Sequence, residues 1–310
     1  MHAGSKAFFY ALSRSAALKR LASKYGMATK QSFARRFIAG ETIEEAVDCG
    51  RTLQSEGMLL TLDYLGESVR TLEEATAATG EYLRLMDVIV ASGIERNISL
   101  KLTQLGVDVD RATCIDNLRR ILDPGARHGF FVRIDMENSP YTEITLEIFE
   151  TLWQQEYRNV GVALQAYLHR TEQDVKRMNE LGARVRLVKG AYKEPASVAH
   201  QKKAAVDAAY LRSARLLLDD GTYPAFGTHD PALLAQVRTH ALGQHIPNDK
   251  FEFQMLYGIR RNLQRLFVAE GYRMRVYVPF GRQWFPYFMR RLGERPENVT
   301  FVLKALLHEK

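Results

Sequence analysis

In Arg184-Val-Arg-Leu-Val-Lys-Gly190, which runs on into Ala191-Tyr192-Lys193-Glu194-Pro195, charged and apolar residues alternate with a period of two. That alternation is the signature of a β-strand. Arg184, Arg186 and Val188 share one face, and Val185, Leu187 and Lys189 share the other. Gly190 then lets the backbone turn, or come close to a ligand. Two arginines on a short apolar strand are costly unless their face is wet or paired. The strand therefore predicts an outer face packed on helices and an inner face opening on an enclosed polar space that receives both arginines.

Seven further segments repeat this arrangement. Leu59–Tyr64 sets Thr61 beside Asp63, Asn97–Leu102 sets Ser99 beside Lys101, and Phe130–Met136 sets Arg133 beside Asp135. Val160–Tyr167 offers Gln165 and Tyr167, Tyr223–His229 is the weakest strand, Phe251–Met255 pairs Glu252 with Gln254, and Tyr272–Val278 pairs Arg273, Arg275 and Tyr277. Segments long enough for a helix separate them. Alternating strands and helices imply a parallel sheet, and eight of them imply α/β architecture closed as a (β/α)8 barrel. The helices are expected over 37–57 (Thr42 as cap), 67–93, 110–122 (ended by Asp123-Pro124-Gly125), 141–156, 171–181 (Thr171 as cap), 202–218, a segment opening at Asp230-Pro231, 257–270 and 284–295.

The chain has 310 residues, 46% of them hydrophobic, with a mean hydropathy of −0.25. That suits a soluble protein with a large core. No apolar run reaches the roughly 18 residues a spanning helix needs. Cys49 and Cys114 stand far apart, which argues for a reducing compartment and against a disulfide framework. Neither CxxC, HExxH nor HxH occurs, so no metal site is expected. The charge is uneven: residues 1–40 carry no acid and eight of the 43 bases, leaving 35 bases against 36 acids in the remainder. The sequence reads as a basic helical arm over 1–40 and a barrel over 41–310, in one structural domain. The arm suits an anionic lipid surface, a cleaved targeting peptide or a solvated helix. Nucleic acid is not expected, because the basic charge is local and no aromatic-interleaved module follows it.

Chemistry in such barrels gathers at the carboxyl ends of the strands. That rule selects Lys101, Asp135, Gln165, Arg186, Thr228, His229, Gln254 and Tyr277, with Arg290 and Arg291 following the last strand and Glu294 one turn beyond. Two adjacent guanidiniums suit a carboxylate or phosphate. His229 reads equally as a hydrogen-bonded core histidine, Lys101 and Asp135 as a structural ion pair, and Arg290-Arg291 as a solvated face. The residues alone stop at a barrel enzyme acting on an anionic small molecule.

Nine motifs carry the reading further. They are Arg36-Phe-Ile-Ala-Gly-Glu-Thr42, Ser99-Leu-Lys-Leu-Thr-Gln-Leu-Gly106, Arg133-Ile-Asp-Met-Glu-Asn-Ser139, Gln165-Ala-Tyr-Leu168, Arg186-Leu-Val-Lys-Gly-Ala-Tyr192, Gly227-Thr-His-Asp230, Phe251-Glu-Phe-Gln-Met-Leu-Tyr257, Tyr277-Val-Pro-Phe-Gly281 and Arg290-Arg-Leu-Gly-Glu-Arg-Pro296. In this order, over about nine-tenths of the chain, they resemble the proline dehydrogenase family in its single-function bacterial form. Gly227, Phe280 and Asn138 depart from the usual Ala, Tyr and Asp, and Phe280 is expected to change hydrogen bonding at the mouth. The resemblance implies a distorted (β/α)8 barrel with added N-terminal helices that binds FAD. It implies FAD contacts from Met136, Gln165, Val188, Lys189, Gly190, Thr228 and His229. Lys101, Arg290 and Arg291 would hold the substrate carboxylate, Tyr277 would pack over the pyrrolidine ring, Glu294 would buttress the arginines, and Asp135 and Arg186 would be catalytic. The activity implied is oxidation of L-proline to Δ1-pyrroline-5-carboxylate by hydride transfer from C5 to flavin N5. Electrons would pass to a membrane quinone. The same likeness suggests a cytoplasmic protein, peripheral on the membrane through 1–40, with homo-oligomers allowed. Tyr277 would crowd a C4 hydroxyl and so argues against hydroxyproline as substrate.

Overall fold

The computed structural model describes Met27 and residues 32–294, and of residues 33 and 290–294 only the backbone. The expected helix over 6–25 therefore lies outside the described residues. Eight parallel strands close into a barrel in chain order: β1 Leu59–Tyr64, β2 Asn97–Leu100, β3 Phe131–Ile134, β4 Val160–Gln165, β5 Val185–Val188, β6 Ala225–Gly227, β7 Glu252–Leu256 and β8 Met274–Phe280. All eight expected strands are present. The weakest expectation, Tyr223–His229, is the shortest strand at three residues. The register sets Ser99 beside Asp63 and Arg133, and Ala163 beside Arg186, and it closes with Thr61 beside Tyr277.

The helices pack outside: α1 Ile43–Ser55, α2 Leu72–Ser92, α3 Arg111–Arg127, α4 Thr142–Gln154, α5 Thr171–Glu180, α6 Lys203–Asp220, α7 Pro231–Gly243, α8 Arg261–Ala269 and α9 Trp284–Glu294. Their apolar stripes meet the outward strand residues Leu60, Leu62, Ile98, Val132, Ile134, Val162, Leu187 and Phe226, all buried in one core. Thr42 caps α1 as expected, in a full capping box with Glu45. Asp230 caps α7 with Pro231 in its first turn.

Two helix boundaries correct the sequence reading. Helix α3 does not stop at Asp123-Pro124-Gly125 but runs through it to Arg127. Its buried stripe continues as Leu118, Ile121, Leu122 and Gly125. Proline is costly inside a helix, and here it sits in the last turn, where the stripe's burial outweighs the one lost hydrogen bond. Thr171 is not a cap. The Arg170 backbone occupies that position without a side-chain hydrogen bond, and the Thr171 hydroxyl donates to the Gln165 carbonyl instead.

The amino-end floor of the barrel is ionic. Arg275, nearly buried, donates through Nε and Nη2 to the two Glu252 oxygens at 2.7 and 2.9 Å. Its Nη1 donates to Glu95 at 2.7 Å and to the Leu60 carbonyl at 2.6 Å. Arg184 stacks over the Phe131 and Tyr223 rings at this end. That placement corrects the expectation that both arginines of β5 face one ligand space: only Arg186 reaches the other rim. Their spacing of two residues puts them on one face but roughly 7 Å apart along the strand.

Burial alone would push the Glu252 carboxyl up, but the Arg275 guanidinium outweighs it and holds the group at about 2. A carboxyl whose folded pKa is depressed stabilises the fold above its unfolded pKa, and that contribution is lost as pH falls through the folded value. Stability is thus expected to fall from pH 4.5 to about 2, by roughly 3 kcal/mol through this group. Denaturant titrations of wild type and Arg275→Met check it. The variant strands two acids and should lose about 3–5 kcal/mol at neutral pH, and its further loss on acidification should be smaller.

Candidate active site

At the carboxyl ends of the strands, inward side chains from five elements converge on Asp135. This residue directly follows β3, and its backbone N–H donates to the Leu100 carbonyl of β2. Arg186 of β5 donates through Nη1 to Asp135 Oδ1 at 2.5 Å, and through Nη2 to the Ser99 hydroxyl of β2 at 2.9 Å. The Tyr277 hydroxyl of β8 donates to Asp135 Oδ2 at 2.7 Å, and its ring lies 5.4 Å from the Arg186 guanidinium carbon. Lys101, the residue after β2, stands 3.7 Å from Asp135 Oδ2 and 3.4 Å from Asp63 Oδ1 of β1. Lys101 and Arg186 are 8% and 4% exposed, which leaves neither cation free of its pairing cost.

The electrostatics follow from that packing. Burial pulls the Lys101 ammonium down, but Asp63 and Asp135 outweigh it and hold it charged well beyond neutral pH. Burial, reinforced by Asp135, pushes the Tyr277 hydroxyl well above 10, so it remains a donor. Burial also raises the carboxyl pKa of Glu137, against the Thr103 N–H and hydroxyl that donate to it at 3.1 and 2.7 Å. Glu137 locks the turn after Lys101 to the turn after β3, and Gln165 of β4 donates to its carbonyl at 2.8 Å. Met136, between Asp135 and Glu137, is buried.

The other half of the rim is more open. Val188, Lys189, Gly190 and His229 are half-buried, and Thr228 is buried. Lys189 is held by Asp207 and by Asp230, the latter at 3.4 Å. His229 Nε2 accepts from the Leu256 N–H at 2.9 Å, which leaves Nδ1 as the nitrogen that carries the proton. The close approach expected at Gly190 is made by a ring of the protein: at φ 113°, a Cβ there would lie 2.4 Å from the Tyr167 ring. The loop beyond Gly190 is strapped down, with the Ser139 N–H and hydroxyl donating to Glu194, and Leu168 bridging Ala199.

The expected site residues thus divide. Lys101, Asp135, Arg186 and Tyr277 share one cluster, and Gln165 is joined to it through Glu137. Gln254 is turned toward the floor, where it donates to Glu252 at 2.5 Å. Phe280 is buried against the Tyr64 ring. Arg290, Arg291 and Glu294 lie on α9, and their side chains fall outside the description. The start of that helix packs Trp284, Phe285 and Phe288 with Phe37, Ile38 and Leu65, the residue that follows β1. Sequence reasoning missed Asp63 and Glu137. Asp63 was legible as the inward partner of Thr61 near a strand's carboxyl end; Glu137 carried no signal without its Thr103 partner.

Gly190→Ala should therefore destabilise the fold by more than the roughly 1–3 kcal/mol of unfavourable backbone alone. In a Tyr167→Ala background the same change should cost only that backbone contribution. Denaturant melts of the four proteins form the double-mutant cycle; zero coupling would mean the ring is no obstacle.

The chain is similar to known proteins. A family model described as proline dehydrogenase matches residues 46–304. The chain is 42% identical over 299 residues to proline dehydrogenase 1 of Bacillus subtilis (strain 168), covering 96% of this chain and 98% of that one. It is 40% identical over 280 residues to the proline dehydrogenase of Deinococcus radiodurans, covering 89% and 90%. Among solved structures, proline utilization A (PutA) from Bdellovibrio bacteriovorus, inactivated by N-propargylglycine, superposes with a TM-score of 0.80 at 30% identity, over 87% of this chain and 33% of that one. The chain belongs to the proline dehydrogenase family.

Proposed function

We propose that this protein oxidises L-proline to Δ1-pyrroline-5-carboxylate with FAD as its cofactor and a membrane quinone as the final electron acceptor. The reading is carried by one observation: Lys101, Asp135, Arg186 and Tyr277 meet in one cluster toward the carboxyl ends of the strands, in a chain of this family. A cationic rim suits the carboxylate of an amino acid, and Lys101, Arg290 and Arg291 are the residues that would hold it. The Tyr277 ring would cover the pyrrolidine ring, and Glu294 would steady the two arginines.

The residues present fit a flavin. Arg186 Nε is a buried donor without a partner among the described residues. Met136, Gln165, Val188, Lys189 and Gly190 would line the ring and its chain, and Thr228 and His229 lie just before the N-terminus of α7, where phosphate is favoured. Lys189 would exchange a carboxylate partner for phosphate. When bound, FAD supplies the two-electron acceptor for the hydride that leaves C5. The protein's own contribution is position: a fixed carboxylate and a covered ring turn the transfer into a near-unimolecular step, worth up to about 7–11 kcal/mol. Arg186, aimed by Asp135, would stabilise negative charge at that place.

Purified protein is expected to be yellow and to bleach with L-proline in the absence of other acceptors. A protein that stays colourless after FAD is supplied overturns the reading. With a soluble dye as acceptor, Lys101→Met should raise KM for proline about 10–100-fold, the loss of one charge-assisted contact. Asp135→Asn should instead lower kcat, because it releases Arg186 and Tyr277 together.

A further inference from the structure

Asp63 is a buried acid that the reading above leaves without a role. Its side chain is fully buried on β1. Oδ1 accepts from Lys101 Nζ at 3.4 Å. Oδ2 is buried with no hydrogen-bond partner among the described residues, although the Tyr277 hydroxyl neighbours this carboxylate. That hydroxyl gives its proton to Asp135 at 2.7 Å. Asp135 already has both oxygens engaged, one by Arg186 and one by Tyr277, and its distance to Lys101, 3.7 Å, is the longer of the two. Lys101 therefore has one dedicated counter-ion and one shared one.

We propose that Asp63 is a positioning residue for the substrate carboxylate: it acts through Lys101, holding its ammonium charged and turned toward the rim. The proposal rests on the proline reading and assigns a residue that reading does not use. An ammonium has three donors, and one directed down to Asp63 leaves the others for a ligand above. A buried lysine that loses its carboxylate sheds its proton readily. Asp63 is in turn costly without Lys101, since burial, opposed by Lys101 and aided by Asp135, raises its pKa. The charged groups that act on Lys101 come from every side: Asp63 on β1, Glu67 after it, Asp135 after β3 and Tyr192 after β5. Glu67 and Tyr192 lie on loops, and among the described residues removal of Asp63 leaves the half-buried Asp135 as the acid within 4 Å of Lys101.

The test compares wild type, Asp63→Asn and Asp63→Asn/Lys101→Arg as purified holoenzymes. Two readouts are taken against pH: dye-coupled proline turnover, and the affinity for cyclopentanecarboxylate, which offers the carboxylate without a ring nitrogen and is followed by perturbation of the flavin spectrum. In Asp63→Asn, KM and the Kd of the carboxylate should both rise at least tenfold, with kcat changed several-fold less. The alkaline limb of kcat/KM should move down by a pH unit or more. The double variant should restore that limb to its wild-type position, because a guanidinium does not deprotonate in this range. Unchanged KM and Kd, or a fall in kcat alone, overturns the proposal. Where Asp63→Asn does not fold, Asp63→Glu keeps the charge: a wild-type alkaline limb supports the role and a shifted one overturns it. Wild type that binds cyclopentanecarboxylate yet never turns over proline would sink the proline reading and leave the Asp63 comparison of Kd values intact.

Discussion

Asp135 accepts from Arg186 at 2.5 Å and from Tyr277 at 2.7 Å, with Lys101 at 3.7 Å. Through those three contacts one carboxylate ties β2, β3, β5 and β8 together across the top of the barrel. A closed sheet forces every second side chain inward, and this chain puts charged groups at those positions. Charges so enclosed must pair or neutralise. The pairing is nearly complete, and where it is incomplete the gaps are informative: Asp63 Oδ2 and Arg186 Nε are both buried and both unmatched. Arg133 Nε is likewise buried and unmatched among the described residues. Arg275 has Nε, Nη1 and Nη2 all engaged at the floor.

In the sequence, the strands were readable because their outward residues are apolar and their inward ones mostly polar, as in Leu60-Thr-Leu-Asp63. Lys101 and Asp135 were readable because each sits just past a strand's carboxyl end, and Arg186 and Tyr277 because they are inward polar residues of β5 and β8. Alternation, however, gives a face and not a height. Arg184 and Arg186 are indistinguishable by pattern, yet one stacks on Phe131 and Tyr223 at the floor and the other meets Asp135 at the rim. Helix ends were least readable. Pro124 is a strong local stop, overridden by a buried stripe that only the packed barrel makes worth extending.

The family resemblance supplied roles that the residues alone left open, and the geometry refines how those roles fit. Gly190 illustrates the point. Sequence suggested that a ligand needs its missing side chain; the packed chain shows the Tyr167 ring already in that space. The glycine therefore serves the wall of the site before it serves anything bound there. Glu137 is the converse case: nothing in its spacing marks it, yet through Thr103 it fixes the turn that follows Lys101.

The two halves of the rim differ in a way that bears on what each can hold. The half built from β1, β2 and β3 is closed: Asp63, Ser99 and Lys101 are buried and cross-linked, so it offers fixed charge and little room. The half built from β5 and β6 is half-buried at Val188, Lys189, Gly190 and His229, with a strapped loop beyond it, and its Lys189 is held by Asp207 and Asp230. A small anion is matched by the first half and would be poorly fixed by the second. Arg186 belongs to both, since its Nη atoms are spent on Asp135 and Ser99 while Nε is not. A reaction between a small acid and a large planar acceptor would take place across that one guanidinium.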